Sequence, residues 1–340
     1  MSYDSHYEHS AQTEDPMEDH FVPEFDPEID GHLPEQFDLD DPSLPSSRVP
    51  NLGHAILFVS FAGLLLFLTQ LVAISTAHTA HDANASAQIL SQPKRQLASM
   101  AVTYLVTLGS SFLIFPLFWR RSFLSGIDWH GARALRLSLR LISLGLSVGW
   151  MVQAVSSLIP VPKSMPMDNF FRTAPDIWLV TLFGTLLAPL FEEITFRGFM
   201  LPAFAIAFDW LGPVLQYVFA FSIARLKKQE PSLHIATFGE ARSAGLAEDT
   251  GNLFFRSKLA LISASVVTSV LFALIHADQL AHAWAAVGIL FGVSLILTLI
   301  RIQTKSVACS TLVHASYNFS VFLTVFLATG GYRHIEKLAH

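Results

Sequence analysis

A single cysteine, Cys309, in 340 residues excludes an intramolecular disulfide. It lies in an apolar stretch and reads as a small packed side chain, with His314 the nearest base along the sequence. Charge is scarce. Only 14% of residues are Asp, Glu, Lys or Arg, against about 25% in soluble domains. The start of the chain has no basic segment followed by an apolar core, so no cleavable signal peptide is expected. The first apolar run, from Leu52, is expected to remain as an anchor. There is no internal repeat, no glycine-rich phosphate loop and no His-Glu-x-x-His. Nothing points to nucleic acid.

Hydrophobicity takes the place of charge. The chain is 52% hydrophobic, with a mean hydropathy of +0.46. Several runs reach the roughly 18–20 apolar residues that cross a bilayer. Candidate spans are 52–75, 98–119, 141–160, 177–201, 259–275, 283–300 and 306–329. An eighth, 203–223, carries Asp209 and the turn-forming Gly212-Pro213 pair. The expected fold is all-α: a polytopic transmembrane helix bundle of seven or eight spans.

The net charge of −6 averages two unlike regions. Residues 1–50 hold 14 of the 27 acids, one base (Arg48) and seven of the 17 prolines. Such a segment buries too little apolar surface to offset ordering entropy and reads as a disordered acidic tail. The other 290 residues hold 13 acids and 20 bases. The bases cluster. Arg120, Arg121, Arg133, Arg136 and Arg140 follow the second span. Arg225, Lys227, Lys228, Arg242, Arg256 and Lys258 occupy 224–258. Arg301 and Lys305 follow the sixth. The positive-inside rule places all three groups in the cytoplasm if the tail is also cytoplasmic and 203–223 does not cross. That gives seven spans; an eighth would turn the later basic loops outward. The chain then divides into the tail (1–50), a first anchor with its loop (51–97), a membrane domain (98–329) with an insertion at 203–257, and a short C-terminal tail (330–340).

Against this apolar background Leu190-Phe191-Glu192-Glu193-Ile194-Thr195-Phe196-Arg197 stands out. An acid at the centre of a spanning helix costs roughly 2.5–3.5 kcal/mol on insertion scales, and an ionisable group there marks a functional site by default. Glu193 and Arg197 stand four apart, the acid first, which is the favourable order for an ion pair on one helix face. Glu192 points about 100° away and has no local cation, so it is the freer carboxylate. Phe272 and His276 stand one turn apart at the end of the next span. His314 and Asn318 share a face of the last. Each feature alone has a plain structural explanation: an ion pair, an interfacial imidazole, an interhelical hydrogen-bond pair. Together, three spans contribute polar groups that turn inward and converge. Such a set can hydrolyse an amide in two ways. Glu192, helped by His276, takes a proton from water while His314 and Asn318 donate to the oxyanion. Alternatively Glu192, His276 and His314 hold Zn²⁺, which acidifies the water.

Glu-Glu-x-x-x-Arg, then Phe-x-x-x-His, then His-x-x-x-Asn, each on a hydrophobic segment, resembles the CPBP family. That family includes CAAX prenyl endopeptidases and bacterial proteins of bacteriocin processing and immunity. The resemblance covers about residues 98–329. It implies an intramembrane endopeptidase of all-α fold acting on a peptide or membrane-protein substrate. It also implies Glu192 as the water-activating base, Glu193 and Arg197 as its support, His276 as helper, and His314 with Asn318 at the oxyanion. No cofactor is expected to be required, with zinc the alternative. The family's distribution points to a bacterial inner membrane. A departure is the 84 positions between Glu192 and His276, longer than in typical members. The rival expectations are a catalytically silent scaffold or immunity protein of the same fold and, more remotely, a proton-coupled transporter.

Overall fold

The computed structural model describes residues 49–75, 92–159, 165–211 and 257–338. The acidic tail up to residue 48, the loop with His78 and His81, and the basic segment 212–256 lie outside the described residues. Among the described residues every element is helical and none is a strand. The helices are α1 (Leu52–Ser75), α2 (Pro93–Trp119), the short α3 (Phe123–Gly126) and α4 (Gly131–Arg136), and α5 (Ser138–Ser156). Then follow α6 (Ala174–Leu211), α7 (Lys258–Leu274), α8 (Trp284–Thr304) and α9 (Val307–Ala328). Six of them, α1, α2, α5, α6, α8 and α9, are long and apolar enough to cross a membrane. The seventh expected span, α7, is apolar but 17 residues long. The all-α bundle of membrane-length helices is therefore present, with six full-length candidates where seven or eight were expected.

Local chemistry sets the helix ends. Pro93 opens α2, where its missing N–H is an orphan in any case. The Thr173 hydroxyl accepts from the Asp176 amide and caps α6. The Ser257 hydroxyl accepts from the Ala260 amide at the start of α7. Arg120 and Lys305 adopt left-handed φ values of 51° and stop α2 and α8.

Helix α6 differs from the expected segment. It runs on to Leu211, so the boundary drawn at residue 203 falls inside a helix. Asp209, the acid in that weaker candidate span, accepts from the Ser257 amide at 2.9 Å. Within α6 two stretches widen into π-helix, Phe183–Leu187 and Ile194–Met200. Pro189 lies just beyond the first. A proline ring inside a helix crowds the carbonyl four residues back, here that of Thr185, and cannot bond to it. A locally wider helix relieves that crowding. Single-turn π segments are frequent at functional sites, and these two bracket Glu192 and Glu193.

Two apolar clusters hold the site in place. Phe58 of α1, Phe115 and Trp119 of α2, Phe123, Ile127, and Phe191, Ile194 and Phe199 of α6 form one. Leu141 and Val148 of α5, Val293 and Leu297 of α8, and Cys309, Val313 and Tyr317 of α9 form the other. Cys309 is fully buried there, as its apolar setting predicts. Helix α5 lies tight against α9 through Gly145 and Gly149. A Cβ built on Gly145 would stand 2.6 Å from Ser316 Cβ, and one on Gly149 would stand 2.9 Å from the Tyr317 carbonyl oxygen. Gly145-x-x-x-Gly149 is the small-residue spacing that lets membrane helices approach.

Candidate active site

The two glutamates sit between the π segments of α6, and α9 passes across them. Glu193 and Arg197 are fully buried and paired, Nη1 to Oε1, at 2.9 Å. Arg197 Nη2 also donates to the Ser294 carbonyl at 2.8 Å and to the Ser294 hydroxyl at 2.7 Å. Its guanidinium carbon lies 4.9 Å from the centre of the Phe272 ring, within cation–π range. The guanidinium is thus fixed by α6, α8 and α7 together. The i,i+4 pair expected from the sequence is present. Ser294 was not expected, since one serine in an apolar run carries no distinguishing pattern.

His314 lies between the two carboxylates. Its Nδ1 is 3.0 Å from Glu193 Oε1, and its Nε2 is 3.8 Å from Glu192 Oε2. A carboxylate accepts, so Nδ1 carries the hydrogen, and Nε2 of the neutral ring then offers a lone pair. Glu193 therefore fixes both the tautomer and the direction of His314. The Ser310 hydroxyl lies beside the same carboxylate. Glu192 is only partly covered, whereas Glu193 has no exposed surface.

His276 reaches the group indirectly. Its Nδ1 is 2.8 Å from the Phe272 carbonyl, which can only accept. The hydrogen is again on Nδ1 and Nε2 is left as a base. The Phe272 ring touches both imidazoles, with centroids 5.0 Å from His276 and 5.8 Å from His314. Phe196 meets the same ring edge-on at 5.2 Å. The ring closest to Glu192 is therefore His314, where sequence reasoning had paired Glu192 with His276. Asn318 donates from Nδ2 to the Gly184 carbonyl at 2.7 Å, tying α9 to the first π segment. Gly184 itself packs closely under Phe322 of α9. Asp278 and His282 pair with each other at 3.1 Å on an exposed turn.

A zinc site needs three protein ligands within bonding distance of one point. Among the described residues no three His, Cys, Asp or Glu side chains are grouped to hold a metal ion. Glu192, His276 and His314 are not grouped in that way, although both imidazoles keep Nε2 free as a metal-ligating histidine would. No step below runs through a metal.

Apolar helices of membrane length thus enclose a buried network of carboxylate, imidazole and guanidinium groups. Residues 174–320 match the family model described as Type II CAAX prenyl endopeptidase Rce1-like. This stretch is a CPBP-family domain, and the family points to protease activity on a peptide or protein substrate. The match is narrower than the 98–329 range of the sequence resemblance, yet it spans all seven motif residues from Glu192 to Asn318. No curated protein matches the chain, and no solved structure does.

Proposed function

We propose that the protein is an intramembrane endopeptidase of integral membrane location, and that Glu192 activates the water that attacks the scissile peptide bond. The observation that supports this is the unequal use of the two carboxylates. Glu193 Oε1 receives both Arg197 Nη1 and His314 Nδ1. Among the described residues Glu192 makes no hydrogen bond of its own: His314 Nε2 stands 3.8 Å from its Oε2, beyond hydrogen-bond length, so it retains the capacity to accept a proton. Glu193 and Arg197 act as support: they hold His314 and carry no step themselves.

The chemistry follows without a covalent intermediate. Glu192 takes one proton from water as the water oxygen bonds to the carbonyl carbon, and the carbonyl electron pair moves onto oxygen. The oxyanion is met by donors from α9, His314 when doubly protonated and the second N–H of Asn318. As the C–N bond breaks, the proton held by Glu192 passes to the leaving amine. His276 Nε2 assists as a nearby base. The substrate is a peptide or a membrane protein reached within the bilayer of a bacterial inner membrane, with the acidic tail on the cytoplasmic side.

Glu192→Gln keeps the shape of the side chain and removes the base. Protein termini are compared by mass spectrometry in native cells carrying the wild type or an equally abundant Glu192→Gln protein. The expected result is a set of termini that vanish in the variant while their uncut precursors accumulate. Identical termini in both strains would overturn the protease reading and favour a silent scaffold of the same fold.

A further inference from the structure

The site has few uncommitted hydrogen-bond donors. His314 spends its Nδ1 hydrogen on Glu193, and His276 spends its own on the Phe272 carbonyl. Asn318 gives one amide hydrogen to Gly184. Arg197 is directed at Glu193 and Ser294. Yet amide hydrolysis needs a donor placed where negative charge develops, aimed at the substrate oxygen and not already engaged.

Tyr104 of α2 meets that need. Its ring lies parallel to Phe191 within 2°, with centroids 3.8 Å apart, and also stacks on Phe183 at 5.6 Å. Phe191 immediately precedes Glu192. Phe183 immediately precedes Gly184, whose carbonyl holds Asn318. The two stacks therefore fix Tyr104 across the stretch of α6 that joins the base to the α9 donor. The phenol is close enough to interact with the Glu192 charge. Among the described residues no protein group hydrogen-bonds its hydroxyl. Tyr104 is half-buried, and a phenol so placed normally finds a hydrogen-bond partner. Tyr104 also lies outside residues 174–320, so the family match assigns it nothing.

We propose that Tyr104 is a catalytic residue of this site, its O–H donating to the carbonyl oxygen of the scissile bond as that oxygen becomes negative. The inference rests on the protease reading above. In the addition step the new C–O bond forms from water, the water proton goes to Glu192, and the carbonyl pair becomes a lone pair on the oxygen, to which Tyr104 O–H donates. In the collapse step that pair re-forms the carbonyl, the C–N bond breaks, and the amine takes the proton from Glu192. Tyr104 keeps its own proton throughout.

The test uses the full-length protein in detergent with a synthetic peptide spanning the cleavage junction found by the terminus comparison. Tyr104→Phe preserves both ring stacks and removes only the hydroxyl. The expected result is a fall in kcat of about 10²–10³-fold, the loss typical of one oxyanion donor, with KM and melting temperature unchanged. Tyr104→Leu, which removes the stacks, is expected to lower the melting temperature as well. A Tyr104→Phe protein with wild-type kcat, beside an inactive Glu192→Gln, would overturn the inference and leave the protease reading standing. If the terminus comparison yields no junction, the reading fails and the inference falls with it.

Discussion

The residue with the least freedom in this molecule is Arg197. It has no exposed surface and joins Glu193, Ser294 and the Phe272 ring. A buried charge is tolerable only while its partner is present, and removing one member of such a pair costs about 3–5 kcal/mol because the other is left uncompensated. Arg197→Leu is therefore expected to destabilise the protein by about that amount. Glu193→Gln combined with Arg197→Leu leaves no stranded charge and is expected to recover part of the loss. Denaturant unfolding of the three proteins in one detergent measures the coupling. Equal losses in the single and double variants would show that the pair contributes no charge compensation. The same logic separates the glutamates by role. The carboxylate that accepts two N–H donors is engaged by the fold, which leaves its neighbour free for the role proposed for it.

At the scale of elements, the close approach of α5 to α9 sets where His314 and Asn318 stand. Gly145 faces Ser316, and Gly149 faces the Tyr317 carbonyl, so both positions lie alongside the turn that links the two motif residues. Gly145→Ala leaves no room for the added methyl and is expected to push the helices apart, at about 1–3 kcal/mol for overpacking. It should also lower kcat, because the displaced helix carries the α9 donors. Gly292→Ala in α8 meets nothing within 4 Å and is expected to be neutral or slightly stabilising, since alanine is the better helix former. Melting temperature and kcat, read together on both variants, check this; a Gly145→Ala protein as active and stable as the wild type would refute it. The spans were legible in the sequence because length and hydropathy alone decide a membrane helix. The motif residues were legible because a charge in an apolar run has few ordinary reasons to be there. What stayed hidden has no side-chain signature. The π segments leave a uniformly apolar stretch unchanged in pattern, with Pro189 the one visible sign. The carbonyls of Phe272, Gly184 and Ser294 belong to the backbone. Ser294 and Tyr104 are residues that any span can carry. The continuation of α6 to Leu211 was obscured because Asp209 looks like a break until its partner, the Ser257 amide, is known.

At the scale of the whole membrane domain, five contacts determine which helix ends lie together. Asp209 at the end of α6 bonds the amide of Ser257 at the start of α7, so the chain leaves and rejoins the described bundle at one end. Seven crossings require that arrangement, whereas eight would put these two ends on opposite faces. Asp128, in the turn after α3, pairs with Arg301 near the end of α8 at 2.7 Å, and its carbonyl accepts from the Val307 amide at 3.2 Å. His130 donates its amide to the Ser306 hydroxyl, and Arg133 donates to the Thr304 carbonyl. The basic stretch after α2 and the basic turn between α8 and α9 are thus on one side, as the positive-inside rule requires of two cytoplasmic clusters. Since α9 leaves that side, the segment after Ala328 belongs on the other. A membrane-impermeant thiol reagent can read this out, because Cys309 is buried and gives little background. Arg121→Cys and Lys305→Cys, both at exposed positions, are expected to label only when the cytoplasmic face is open to the reagent. Glu336→Cys, also exposed, is expected to label only from the opposite face. Labelling of positions 121 and 305 from different faces would contradict the contacts that join them. Labelling of all three from one face would mean that α9 does not cross, and the site built on it would have to lie at the membrane surface.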